Sequence, residues 1–204
     1  MAVQRAAIVG TGVIGASWAT IFLASGLEVA ATDPAPGAEA ALRRAISNHW
    51  PAMAAMGLVE GAAPDRLIFS ATLEEVVSGA EWVQENGPET LAFKEEIFRR
   101  LDHAAPADAI LATSSSTITP SAFQHVCERH PERVVLGHPF NPPHLIPLVE
   151  VVGGAATAES VVAAALAFYR QIGKHPIRLN RESKGHVANR LQAALIEYHP
   201  RTPA

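Results

Sequence analysis

Apolar residues in this chain fall into two alternating patterns, short unbroken runs and longer stretches with helical spacing. Ala6-Ala7-Ile8-Val9 is a four-residue apolar run of the kind a buried parallel strand needs. A longer apolar stretch through Trp18, Ile21, Phe22 and Leu23 predicts a helix, which Ser25-Gly26 stops. Glu28–Thr32 predicts the next strand, ending on Asp33. Ala38–Met56 reads as a helix with a break or bend at Pro51, because proline has no N–H to donate, and Gly57 and Gly61 end it. Arg66–Ser70 is a short strand. Thr72-Leu73-Glu74-Glu75 carries a capping signal for a helix running to Ser78. Glu81–Glu85 reads as a further parallel strand. Leu91, Phe93, Ile97, Phe98 and Leu101 place an amphipathic helix over Thr90–His103, ahead of a buried strand at Ala109–Thr113. Strands follow at Val134–His138 and Leu145–Val152. A helix then runs from Thr157 to about Ile172, with a last strand at His175–Leu179. Gly185 opens one more helix. This alternation predicts an α/β fold, a doubly wound, mostly parallel sheet with additional mixed strands.

The first turn of that sheet carries chemistry. Gly10-Thr11-Gly12-Val13-Ile14-Gly15 lies between the first strand and the first helix, and Asp33 stands eighteen residues after Gly15. Gly10 permits the tight turn, Gly12 lets a pyrophosphate approach the backbone, and Gly15 lets helix and strand pack closely. The free N–H groups of the helix start, at Val13 and Ile14, then face the phosphates. A carboxylate at the end of the second strand accepts hydrogen bonds from a ribose 2′-OH and repels a 2′-phosphate, so the expected cofactor is NAD rather than NADP. The glycine spacing and Asp33 argue against reading Arg5 and Ile8–Leu23 as a secretory signal.

Composition narrows the partners. The net charge is −4 and no basic run exceeds two residues, which disfavours nucleic acid. Cys127 is the single cysteine, so no intrachain disulfide can form, and a reducing cytoplasm fits. No apolar run approaches the roughly 20 residues that a membrane span needs. His125 and His130 flank Cys127 without metal-ligand spacing, so no metal is expected. His144, His175 and His199 show no pairing pattern and read as surface or loop residues.

Beyond the first turn, polar residues gather at expected strand ends. Ser114-Ser115-Ser116-Thr117 follows a strand, where open α/β sheets bind ligands, and it also suits a helix cap ahead of Pro120. His138 and Glu150 lie on two strands joined by a proline-rich loop, twelve residues apart. Side by side, they would make a general base with an oriented imidazole. The alternative is a buried structural histidine and a glutamate on a solvated face.

The order of Asn86-Gly87-Pro88-Glu89 with Lys94, the serine run, Gly137-His138-Pro139-Phe140-Asn141-Pro142, Leu148–Val152 and Gly185–Leu191 resembles the L-3-hydroxyacyl-CoA dehydrogenase family. Within it, the chain is most similar to the branch holding lambda-crystallin and L-carnitine dehydrogenase. The resemblance covers about residues 5 to 196. It implies a Rossmann-type fold and NAD-dependent oxidation of the hydroxyl of a 3-hydroxyacyl-CoA or related 3-hydroxy acid. It gives His138 the role of general base and Glu150 that of its partner. Ser116 would bond the reacting oxygen and Asn189 would complete the site, while Glu89 and Lys94 would stand near the nicotinamide ribose. Ser114 replaces an asparagine common in the family, and His186 replaces a large apolar residue. The resemblance also implies two domains, residues 1–184 binding NAD and 185–204 forming the first helix of an all-helical domain that the chain does not continue. Pro200 and Pro203 would end that helix. Val187, Leu191 and Leu195 would form its apolar face, so the expectation is either a homodimer built by exchange of this helix or a poorly ordered final segment. A nucleotide-binding protein without turnover is the rival reading.

Overall fold

A computed structural model describes residues 3–198. Eight strands form one sheet in the order β3-β2-β1-β4-β5-β6-β7-β8. They are β1 Arg5–Val9, β2 Glu28–Thr32, β3 Leu67–Phe69, β4 Trp82–Glu85, β5 Ile110–Thr113, β6 Val134–Pro139, β7 Leu148–Gly153 and β8 His175–Arg178. The first six run parallel. β7 then turns back against β6, and β8 runs with β7. The sheet is thus doubly wound and mostly parallel, with mixed strands added at one edge, as expected. Chain order reverses between β1 and β4, which opens a crevice at their carboxyl ends.

The helices are α1 Val13–Ala24, α2 Ala38–Met56, α3 Leu73–Val77, α4 Leu91–Ala104, α5 Pro120–Phe123, α6 Glu159–Gln171 and α7 Ala188–Tyr198. One core joins α1, α2 and α6 to one face of the sheet around Trp18, Phe22, Trp82 and Phe168. A second joins α3 and α4 to the other face around Val83, Phe98, Leu101 and Phe123. α1 is buried on nearly every side, so its apolar residues run continuously instead of forming a stripe.

Local expectations needed three corrections. Of the break or bend expected at Pro51, the break is absent, since α2 runs continuously through it; the expected stop at Gly57 holds, with a φ of 102° that suits only glycine. Thr72 does precede α3, but its side chain makes no cap bond. Glu75 instead accepts the Ser70 hydroxyl at 2.6 Å. Gly185 does not itself start a helix: residues 184–187 form a turn, with φ of 77° at Gly185, and α7 begins at Ala188. The expected helix stops at Pro200 and Pro203, and the reading of His199, lie outside the described residues. Among the described residues, no helix is long and apolar enough to cross a membrane. No cluster of three or more metal-binding side chains occurs among them.

Candidate active site

Two cavities meet at the β1/β4 crevice and share Asn86 and Gly87 in their walls. One, of about 560 Å³, is lined by Gly10, Gly12, Asp33, Pro34 and Phe93 among others. The other, of about 610 Å³, is lined by Ile14, Glu89, Ser116, His138, Phe140 and Asn189 among others.

The first cavity has the form of a dinucleotide cradle. Gly10 has φ of 85°, and a Cβ on Gly15 would lie 1.9 Å from the Gly10 carbonyl oxygen, so both positions demand glycine. A Cβ on Gly12 would meet nothing within 4 Å, so its absence leaves open space before the start of α1. α1 has no acidic residue in its first turn, and its start keeps a positive dipole end for an anion. Asp33 is half-buried. One carboxylate oxygen accepts the Thr11 N–H (2.7 Å) and hydroxyl (3.1 Å), and the other accepts the Ala35 N–H (2.9 Å). These donors fix the carboxylate at the end of β2. The residues fit a dinucleotide: Gly12, Val13 and Ile14 would hold its pyrophosphate and Asp33 its ribose.

The second cavity is organised by strand register. His138 on β6 pairs directly with Glu150 on β7, so both side chains leave the sheet on the same face. The His138 Nδ1 lies 3.0 Å from Glu150 Oε2. A carboxylate oxygen facing Nδ1 accepts, so the tautomer that satisfies this pair carries its proton on Nδ1 and keeps the lone pair on Nε2. Glu150 is wholly buried, and its other oxygen accepts the backbone N–H groups of Val187 and Ala188, each at 3.0 Å. Burial lowers the His138 pKa below its ordinary 6.5; the Glu150 hydrogen bond works against this and the nearby His186 works with it.

Glu89 shapes the wall opposite. One of its oxygens accepts the Ser115 hydroxyl (2.6 Å), the N–H groups of Ser116 (3.1 Å) and Thr117 (2.8 Å), and the Thr117 hydroxyl (2.8 Å). Burial alone would raise its pKa, but these donors and the charge of Lys94 outweigh it and the pKa falls. Lys94 lines the cavity, yet it is buried, with its ammonium 2.8 Å from each oxygen of Glu85. Ser114, in place of asparagine, donates to Asn86 Oδ1 (2.7 Å) and accepts from Trp18 Nε1 (3.1 Å) and Gln84 Nε2 (2.9 Å). Ser114 therefore fixes Asn86, one of the two residues that both cavities share.

The loop after His138 is tied down from outside. Lys174 Nζ donates to the carbonyls of Pro143 and Ile146. His144 does have a partner, contrary to the sequence reading: it stacks on His49 at 3.8 Å and meets Ser17 Oγ at 3.1 Å. Sequence spacing gave no signal for this, because the stacked rings come from α2 and a distant loop. The structure thus gathers Ser116, His138, Glu89 and Asn189 around one cavity, with Glu150 behind the base. It also adds Phe140, Asn141 and Gln192, which the motif reading had not singled out as site residues. Gln192 lies one turn beyond Asn189 on α7, a spacing that could have flagged it.

Comparison with known proteins gives the family of the chain. The family described as 3-hydroxyacyl-CoA dehydrogenase, NAD binding domain, matches residues 5–183. The chain belongs to that family. Its cofactor is NAD. L-carnitine dehydrogenase of Streptomyces griseus is 52% identical over 193 residues, covering 95% of this chain and 57% of the relative. The L-carnitine dehydrogenase of Pseudomonas putida is 46% identical, covering 95% of this chain and 60% of its own length. The chain therefore spans less than two thirds of these relatives. Among solved structures, a 5-formyl-3-hydroxy-2-methylpyridine 4-carboxylic acid 5-dehydrogenase, described as an NAD+ dependent dismutase, superposes with a TM-score of 0.89 at 34% identity, covering 97% of this chain and 63% of that one. The (S)-3-hydroxybutyryl-CoA dehydrogenase of Ralstonia eutropha superposes at 0.87 with 26% identity, covering 97% and 70%.

Proposed function

We propose that this chain is the NAD-binding and base-bearing part of a dehydrogenase that oxidises the hydroxyl of a 3-hydroxy acid. The observation that carries this reading is the His138–Glu150 pair at the wall of a cavity that shares Asn86 and Gly87 with the dinucleotide cradle. His138 Nε2 takes the proton of the substrate alcohol. Glu150 holds the imidazole in the required tautomer and stabilises the imidazolium that forms. Ser116 and Asn189 bond the reacting oxygen, and Glu89 holds the serine run in place. NAD supplies the acceptor for the hydride that leaves the carbinol carbon. The likeness to L-carnitine dehydrogenases makes a short, charged 3-hydroxy acid the first substrate to try, ahead of a CoA thioester.

In the same proposal, residues 1–184 form the NAD-binding domain and 185–204 belong to a second, helical unit. Val187, Leu191, Leu195 and Ile196 are between 46% and 68% exposed, and this apolar stripe supports contact with a second copy through exchange of α7.

NADH formation from L-carnitine, 3-hydroxybutyrate and 3-hydroxybutyryl-CoA tests the reading. The expected result is turnover with at least one, carnitine first. NAD binding with no turnover on any of them would instead mark a nucleotide-binding protein.

A further inference from the structure

His186 is the one non-glycine residue among those described with a positive φ, at 51°. Its ring is wholly buried and lies 4.9 Å from that of His138. Its Nε2 is 3.1 Å from the Ser115 carbonyl oxygen, which can only accept, so Nε2 carries a proton and donates it. Its Nδ1 is buried with no partner among the described residues. A left-handed backbone and an orphaned nitrogen both cost stability, and neither is explained by packing alone. What the side chain does achieve is a tie across the site. Ser115 precedes Ser116 at the end of β5. Val187 and Ala188, directly after His186, donate their N–H groups to Glu150 on β7. Asn189 follows one residue later.

We propose that His186 is a positioning residue that staples the lead-in of α7 to the serine run and so fixes Asn189 against Ser116 across the substrate cavity. The proposal rests on the reading of that cavity given above. Its hydrogen bond can be tested without turnover. His186→Phe keeps the ring volume and loses the donor. His186→Asn suits a positive φ but is too short to reach Ser115. His186→Gln keeps an amide N–H at a reach comparable to Nε2.

Hydrogen exchange at the Val187 and Ala188 amides reads the staple directly. In the Phe and Asn variants these amides should exchange about tenfold faster or more, while the Ile8 and Val83 amides in the sheet stay as slow as in the unmodified chain. The Gln variant should keep exchange close to the original. In the NADH assay, kcat should fall about tenfold or more with Phe and Asn, recover with Gln, and leave NAD affinity unchanged. If the Phe variant loses sheet protection as well, the Asn variant decides. Unchanged exchange in the folded donor-less variants, or a Gln variant as loose as they are, would overturn the staple. Absence of NADH from every substrate in the unmodified chain would overturn the functional reading alone, and the exchange rates would still decide the role of His186.

Discussion

In the proposed reaction His138 works through both of its nitrogens, one held by Glu150 and one serving as the base, and the sequence suggested both. The twelve-residue interval to Glu150 suggested the pair, and the antiparallel register supplied the contact. What the spacing did not reveal is the second task of Glu150, receiving two N–H groups from the start of α7, because those partners lie 37 and 38 residues away. Burial holds the free-base form of His138 down to a pH below 6.5. Oxidation should therefore be flat near neutral pH and fall as pH drops through the His138 pKa, when the base becomes protonated. Glu150→Gln removes the group that raises that pKa, so the acid limb of kcat/KM should move to lower pH while plateau turnover falls by about 10²-fold. An unmoved limb would deny Glu150 its part. Asp33 is legible by the same logic, as a carboxylate at a known distance from a glycine turn. NAD should bind at least about tenfold more tightly than NADP, roughly 1.4 kcal/mol, and Asp33→Ala should narrow the gap. Calorimetry giving equal affinities for the unmodified chain would contradict this.

At the scale of elements, strands and helices with strong apolar patterns were readable, and their local chemistry was less so. α2 passes through Pro51 because one missing N–H costs less than is supplied by packing Trp50 and Met53, on either side of it, against the core from one continuous helix. The Glu85–Lys94 pair escaped the sequence reading because a lysine on an amphipathic helix ordinarily faces water, and nothing local marks it as buried. Lys94 sits on α4 and Glu85 ends β4, so the pair bolts helix to strand beneath both cavities, with the Thr113 hydroxyl adding a third contact at 2.7 Å. Removing one partner would leave a dry, unpaired charge. Lys94→Met should cost about 3–5 kcal/mol and lower Tm by roughly 10 °C. A thermal unfolding curve superimposable on that of the unmodified chain would show that the pair contributes nothing.

For the whole molecule, the doubly wound sheet could be read from the alternation of elements, and the antiparallel turn at β7 could be foreseen only as mixed strands. The exposed stripe on α7 is a whole-molecule property, since its meaning depends on what meets it. Each large aliphatic residue left in water forgoes about 1.5–3 kcal/mol of burial. Light scattering should accordingly show a dimer, and Leu191→Glu with Leu195→Glu should return it to a monomer that still binds NAD. A monomer in the unmodified chain would count against exchange of α7. In the proposed reaction, a His138-dependent oxidation takes place beside bound NAD. Its most direct test compares NADH formation by the unmodified chain and by His138→Gln, with NAD affinity measured on both. Turnover should fall by about 10²- to 10⁴-fold in His138→Gln at unchanged NAD affinity. Equal rates in the two proteins would contradict it.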